Sequence, residues 1–248
     1  MNGRVALVTG GGRGIGREAA MLLSAAGVRV MIVSRSATEL AAVGLDYVAA
    51  DLGTAEGCAL AVAETERRLG PIDLMVVNHG IGSAHERVVW EQDPEVWRET
   101  MRINLDGPFE LARLAVGGMC KRGFGRLVFT SSTAGEKAER AGSAYSASKH
   151  GLIGLARAVA QDAGPFGVTS NAVLPGWVRT EMAERSAKTE AERRGISVEQ
   201  VWAERAAIYP PNRVLEPREV AQVIAFLCSD AAGGVNGEAI TVALGGMW

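Results

Sequence analysis

"RVALVTGGGRGIGRE", residues 4–18, passes from an apolar run into glycines and then into a polar segment of helical period. The run 4–9 is rich in β-branched residues and reads as a buried strand. Gly10, Gly11, Gly12, Gly14 and Gly16 follow it and open the next helix. Residues without a Cβ let the backbone turn sharply and approach a bound group. The helix N-terminus then offers free N–H groups and a partial positive charge. Glycines also make structural turns, but the order strand, glycines, helix favours the pyrophosphate of a dinucleotide. No frame fits G-x-G-x-x-G. The arrangement is Thr9-Gly10-x-x-x-Gly14-x-Gly16, with Gly12, Arg13 and Ile15 inside it.

Working outward, the same alternation continues. Apolar, β-branched runs recur at 28–34, 46–50, 72–78, 125–132, 167–175 and 239–244. Helical periods lie between them at 14–26, 54–69, 94–121, 143–163 and 217–229, with a short one near 36–43. Buried strands separated by helices predict an α/β fold, a Rossmann-type doubly wound parallel sheet of about seven strands with helices on both faces. No composition break or repeat divides the chain, so residues 1–248 are expected to form one domain. Residues 181–210 are the exception, two helical pieces where a short loop would do. Gly195 splits them, and Ser197 with Gln200 fits a capping box opening the second. The segment reads as a solvated hairpin or, since insertions at this sheet edge border the ligand crevice, as a helical substrate lid.

Composition narrows the function classes. Hydrophobic residues make up 48% and charged residues 22%, a globular mix, and the net charge of −2 gives no pull towards nucleic acid or anionic membrane. No apolar run approaches the roughly 18 residues of a membrane span. The N-terminal apolar stretch is too short for a signal peptide, which predicts a cytoplasmic protein. Cys58, Cys120 and Cys228 are odd in number and far apart, and His79, His85 and His150 lack ligand spacing. Neither a disulfide framework nor a metal site is expected.

The end of the second strand bears on which dinucleotide is held. An NAD site commonly places a carboxylate about 20 residues past the glycines, on the ribose hydroxyls. Here the residues are Ser34, Arg35 and Ser36, and the nearest carboxylate is Glu39. A guanidinium grips a 2′-phosphate where a carboxylate would repel it, and Arg13 lies in the neighbouring loop. Either arginine could be merely exposed, yet two cations and two hydroxyls favour NADP(H) over NAD(H).

Far downstream, "AYSASKHG", residues 144–151, sets Tyr145 four residues before Lys149 on one helix face. A tyrosine with a pKa of about 10 is a slow proton donor near neutrality. An ammonium within ~4–6 Å favours the phenolate and lowers that value by about 1–3 units. With the glycine loop and Y-x-x-x-K in this order, the chain resembles the short-chain dehydrogenase/reductase family over essentially its whole length. Within that family it resembles members that reduce 3-oxoacyl thioesters. Asp51-Leu52, Asn78-x-Gly80, Asn104, Ser132 and Pro175-Gly176-x-Val178-x-Thr180 also match.

The resemblance implies a role for each. Asn104, Ser132, Tyr145 and Lys149 match the family's catalytic tetrad, with Tyr145 as acid/base, Ser132 polarising the carbonyl and Asn104 holding a relay water. Asp51 would bond the adenine, with Leu52 beside it, and Asn78 and Gly80 would line the adenosine half. Pro175 and Gly176 would lead into Val178 and Thr180 at the nicotinamide carboxamide. An NADPH-dependent ketone reductase, reversible as an alcohol dehydrogenase and assembled as a homotetramer through the long helices, is the implied protein. Its substrate would be an apolar or cyclic ketone or a 3-oxoacyl thioester, enclosed by 81–93, 133–142, 177–210 and Met247-Trp248. An NADP(H)-binding redox sensor or a silent oligomeric scaffold is the competing reading, and neither needs Ser132, Tyr145 and Lys149 together. Two departures stand out. His79 replaces the alanine usual in Asn-Ala-Gly, and the closing strand lacks the aspartate usual before its glycine pair.

Overall fold

In the computed structural model, residues 1–83 and 87–246 are described. Met247-Trp248 and the part of the expected pocket wall at 84–86 lie outside them. Seven strands form one sheet: β1 (Val5–Thr9), β2 (Arg29–Ser34), β3 (Asp46–Ala49), β4 (Leu74–Val77), β5 (Gly125–Thr130), β6 (Val168–Pro175) and β7 (Ala239–Val242). Their order is β3-β2-β1-β4-β5-β6-β7, and every pairing is parallel. The chain winds outward from β1 to β3, then restarts at β4 on the other side of β1. That reversal opens a crevice at the carboxyl ends of β1 and β4, the place where such sheets hold ligands.

Side chains alternate across each strand, so the sheet feeds two cores. Leu7, Met31, Met75, Leu127 and Phe129 face α3 (Ala55–Leu69), α5 (Gly107–Arg122) and α6 (Ser143–Ala163). Ala6, Val8, Ile32, Leu74 and Val128 face α1 (Gly14–Ala25) and α9 (Pro217–Leu227). Cys58 and Cys228 are buried in these cores, whereas Cys120 is half-buried. A stub, α2 (Ala37–Ala41), follows β2 and is capped by the Ser36 hydroxyl. Among the described residues no helix is long and apolar enough to cross a membrane.

Of two segments singled out in the sequence, one differs in detail from expectation and the other matches it. The helical period 94–121 is not one α-helix. A π turn at Arg102–Asp106 separates α4 (Pro94–Met101) from α5. Pro108 is the physical reason, since it has no N–H to offer Asn104 and its ring collides with that carbonyl in a regular helix. The segment 181–210 is a hairpin of α7 (Glu181–Arg194) and α8 (Val198–Ala207). Gly195 ends α7 at φ +65°, and Ser197 and Gln200 form the expected capping box. The hairpin has its own small core, with Ala183, Ala187, Ala191, Val201, Trp202 and Tyr209 buried.

Candidate active site

Thr9 ends β1 and ties the crevice together. Its hydroxyl oxygen accepts from the backbone N–H groups of Asn78 and His79, at 2.9 and 3.2 Å. The glycine loop between β1 and α1 is cramped. A Cβ on Gly16 would overlap the Gly10 carbonyl and crowd the Asn78 amide. Thr180 packs at 3.3 Å from the Cβ position of Gly14, which brings the start of α7 against the loop. Thr180 itself caps α7 by accepting from the Ala183 N–H at 3.2 Å. Ile15 is half-buried behind the loop.

The end of β2 frames the other side of this cradle. Gly12 faces the Ser34 hydroxyl, whose oxygen is buried with no protein partner. Arg35 is exposed. Arg13 is ion-paired with Glu39 at 2.8 Å, both side chains being partly exposed. The Ser36 oxygen accepts from the Glu39 N–H at the N-cap of α2, which leaves its O–H as a donor. At the end of β3, Asp51 accepts from the Gly53 N–H at 3.0 Å and lies 3.4 Å from Arg102. The Gly53 bond, helped by Arg102 and Arg35, holds its carboxyl below the usual range. Leu52 is buried beside it.

Lys149 is the deepest charge in the crevice. Its Nζ lies 5.6 Å from the centre of the Tyr145 ring and donates to the Thr130 carbonyl at 3.0 Å. Burial pushes the ammonium down to about 8. Ser131 donates to the Lys149 carbonyl at 2.8 Å, so the end of β5 is fastened to α6 from two sides. Ser132 follows at once, buried, and its oxygen accepts from the Ala134 N–H at 3.1 Å. That leaves the Ser132 O–H as a donor for a ligand.

Asn104 projects from the π turn towards the same place. A Cβ on Gly80 would lie 3.1 Å from its Oδ1 and 3.6 Å from Lys149 Nζ. Its amide is fully engaged: Oδ1 accepts from Ile81 N–H at 2.8 Å, and Nδ2 donates to the Ile81 carbonyl at 2.9 Å and to Ser148 Oγ at 3.2 Å. The Ser148 hydroxyl donates in turn to the Tyr145 carbonyl at 2.7 Å. Sequence reasoning did not single out Ser148, although its position three residues after Tyr145 on the same helix was a usable signal.

Beyond β6, Gly176 N–H donates to the Val242 carbonyl at 3.0 Å, and Trp177 N–H donates to the Tyr209 hydroxyl at 2.6 Å. Val178 is buried and bridges to Leu215. Pro175 to Thr180 is thus held between β7 and the hairpin. Met182, at the start of α7, lies 3.6 Å from the Cβ position of Gly82, across the mouth of the crevice. Arg205 locks the hairpin from behind. It is buried, stacked 3.7 Å from the Trp177 ring and 5.1 Å from that of Trp202, and donates to Glu190 at 2.9 Å. This lock was not legible in the sequence, where Arg205 is one charge among many.

Comparison with known proteins places these features in a family. The family described as enoyl-(acyl carrier protein) reductase matches residues 10–247. The acetoacetyl-CoA reductase of Rhizobium meliloti (strain 1021) is 36% identical over 243 residues, covering 96% of each chain. The crystal structure of levodione reductase superposes with a TM-score of 0.95 at 30% identity, covering 100% of this chain and 98% of that one. A variant actinorhodin polyketide ketoreductase solved with NADPH gives 0.91 at 32% identity, covering 98% and 97%.

Proposed function

The chain belongs to the short-chain dehydrogenase/reductase family, and from that premise we propose that it reduces a ketone to a secondary alcohol with NADPH, reversibly. The observation that carries this reading is Lys149, a buried cation beneath the Tyr145 ring with one carbonyl to hold it. A bare structural helix has no use for such an arrangement, because burying an ammonium is costly. When bound, the nicotinamide cofactor supplies the hydride.

The residues fit that group. The crowded Gly10–Gly16 turn leaves room for a pyrophosphate, with Gly12, Arg13, Gly14 and Ile15 around it. The partnerless Ser34 hydroxyl, with Arg35 beside it, suits a 2′-phosphate. Arg13 must release Glu39 to join them, a small cost, since exposed ion pairs contribute about 0–1 kcal/mol. Asp51 and Leu52 would flank the adenine, Asn78 and Gly80 the adenosine half, and Pro175, Gly176, Val178 and Thr180 the nicotinamide. The NADPH held by the polyketide ketoreductase supports the cofactor choice.

Tyr145 then gives its proton to the carbonyl oxygen as negative charge develops there. With a pKa of about 8, Lys149 stays largely cationic at pH 7 and favours the phenolate left behind. Ser132 donates its O–H to the same oxygen and stabilises the charge. Asn104 contributes through its backbone, because its amide is spent on Ile81. Pro108 deprives its carbonyl of the usual helical partner, which leaves that oxygen to hold a water feeding Lys149. The hairpin from Glu181 onward serves as a substrate wall. A 3-oxoacyl thioester is the favoured substrate class, given the acetoacetyl-CoA reductase relative. Self-association as a homotetramer belongs to the same reading.

The test follows NADPH absorbance with acetoacetyl-CoA, 3-oxoacyl esters and cyclic ketones. Tyr145→Phe should lower kcat by about 10²–10⁴-fold while NADPH binding persists, the range expected for losing a general acid. Equal turnover by the variant would remove Tyr145 from the mechanism, and no turnover of any ketone by wild type would remove the reaction. Arg35→Asp should swing the kcat/KM ratio towards NADH by about tenfold or more, and an unchanged ratio would clear Arg35 of the phosphate.

A further inference from the structure

His79 replaces the alanine that the family resemblance leads one to expect, and it sits half-buried in the crevice wall with its Nε2 turned inward. The other ring nitrogen faces a hydroxyl. Nδ1 lies 2.9 Å from Thr9 Oγ1, an oxygen whose lone pairs are already taken by the N–H groups of Asn78 and His79. A hydroxyl has two acceptor sites and one hydrogen. The hydroxyl hydrogen has two candidate acceptors, Nδ1 and the Val76 carbonyl at 3.3 Å, and Nδ1 is the nearer. Donation to Nδ1 puts the ring hydrogen on Nε2, the tautomer on which the strut below depends.

Nε2 is buried and makes no hydrogen bond of full geometry within the chain. It lies 3.2 Å from the Cβ position of Gly107, so only the missing side chain there admits the ring. Beside it is the Ile103 carbonyl, which the π turn leaves without its helical partner. In an α-helix the Ile103 carbonyl would accept from Gly107 N–H, but that N–H goes to Arg102 instead. The next candidate along the chain is Pro108, which has no N–H. Ile103 is buried, so water does not readily take the vacancy. The Ile103 carbonyl also favours a proton on the His79 ring, which places the two groups within electrostatic reach.

We propose that His79 is a positioning residue: its Nε2–H serves the stranded Ile103 carbonyl, and with Thr9 behind it the ring holds the π turn that presents Asn104 beside Lys149. The strut joins the end of β1, where the glycine loop begins, to the turn on which the proton relay depends. It rests on the reductase reading for its consequence in turnover, but not for its geometry. A chain with alanine here must hold the same turn by other means.

The experiment has two arms. In the first, kcat and KM for acetoacetyl-CoA and the Kd for NADPH are measured for wild type, His79→Ala, His79→Gln, His79→Asn, Asn104→Ala and the His79→Ala/Asn104→Ala pair. Glutamine extends an N–H as far as Nε2 does, whereas asparagine reaches only the Thr9 end. We expect His79→Ala and His79→Asn to lose about tenfold in kcat, with KM and NADPH Kd within about twofold, and His79→Gln to recover most of it. Added to Asn104→Ala, His79→Ala should cost less than it does alone, because both side chains support one turn. Equal losses in the two backgrounds, or glutamine no better than asparagine, would overturn the proposal. Should His79→Ala not fold, the glutamine–asparagine comparison decides it. The second arm needs no activity. Two-bond 1H–15N spectra, assigned by loss of the signal in His79→Gln, should show a neutral ring with its hydrogen on Nε2. A hydrogen on Nδ1 overturns the strut even if turnover is normal, and an inactive wild type with the expected tautomer overturns only the reaction.

Discussion

Lys149 shows how one side chain sets function against stability. Its ammonium falls from 10.5 to about 8 on burial, a drop equivalent to about 3 kcal/mol. The unfolded chain binds this proton more tightly, so that cost is fully present below about pH 8. It is relieved as pH rises from about 8 to 10.5. Lys149→Met should remove the charge but leave the Thr130 carbonyl without its donor, a loss of about 1–3 kcal/mol. The net expectation is a variant about 1 kcal/mol more stable than wild type at pH 7, inactive, and with its advantage shrinking above pH 8. Thermal melts across pH 6–10 check this, and a variant less stable at every pH would contradict it. His79 behaves in the opposite window. Burial takes its ring down to about 3, so it loses stability for the fold as pH falls from 6.5 towards 3.

At the scale of elements, legibility followed from where hydrogen bonds go. The central strands β1, β4, β5 and β6 are buried on both faces and read as largely apolar runs, so the sheet was visible from the sequence pattern. The glycine loop and the Tyr145–Lys149 spacing were visible because their chemistry is local. The π turn was not, since the apolar period runs through 102–106 without interruption; only Pro108, four residues after Asn104, hinted at it. Glu39 against Arg13, Ser36 as a helix cap, and His79 against the π turn all depend on contacts between distant segments that no spacing encodes. The hairpin α7–α8 is similar. Its charges suggested a solvated surface, yet Arg205 is a buried post between two tryptophans, bonded to Ala183, Ser186 and Glu190. Arg205→Ala empties the stack between the tryptophans, while the partly exposed Glu190 keeps Arg194 as its partner, so the expected loss is about 1–3 kcal/mol. Limited proteolysis should then cut within 181–210 while amides of β1, β4 and β5 keep their exchange protection. Cleavage no faster than in wild type would show that the hairpin does not rely on this post.

At the scale of the molecule, the surface of α4, α5 and the turn before them carries apolar side chains with no cover. Trp90 is 79% exposed, Val89 70% and Phe109 49%. Large apolar side chains this exposed on successive elements suit an association surface. The proposed tetramer would bury it, and Phe109→Asp should then yield smaller assemblies by light scattering after gel filtration. A wild-type monomer, or a variant that still assembles fully, would move the contact elsewhere. The buried cysteines carry a different consequence. Cys58 and Cys228 are raised to about 12, mainly by desolvation, so neither offers a thiolate while the core is closed. Cys120, half-buried on α5, is the thiol nearest to reagent. A thiol-specific dye therefore acts as a stopwatch on the native state: one quick addition from the surface of α5, then two more at whatever pace the two faces of the sheet come apart.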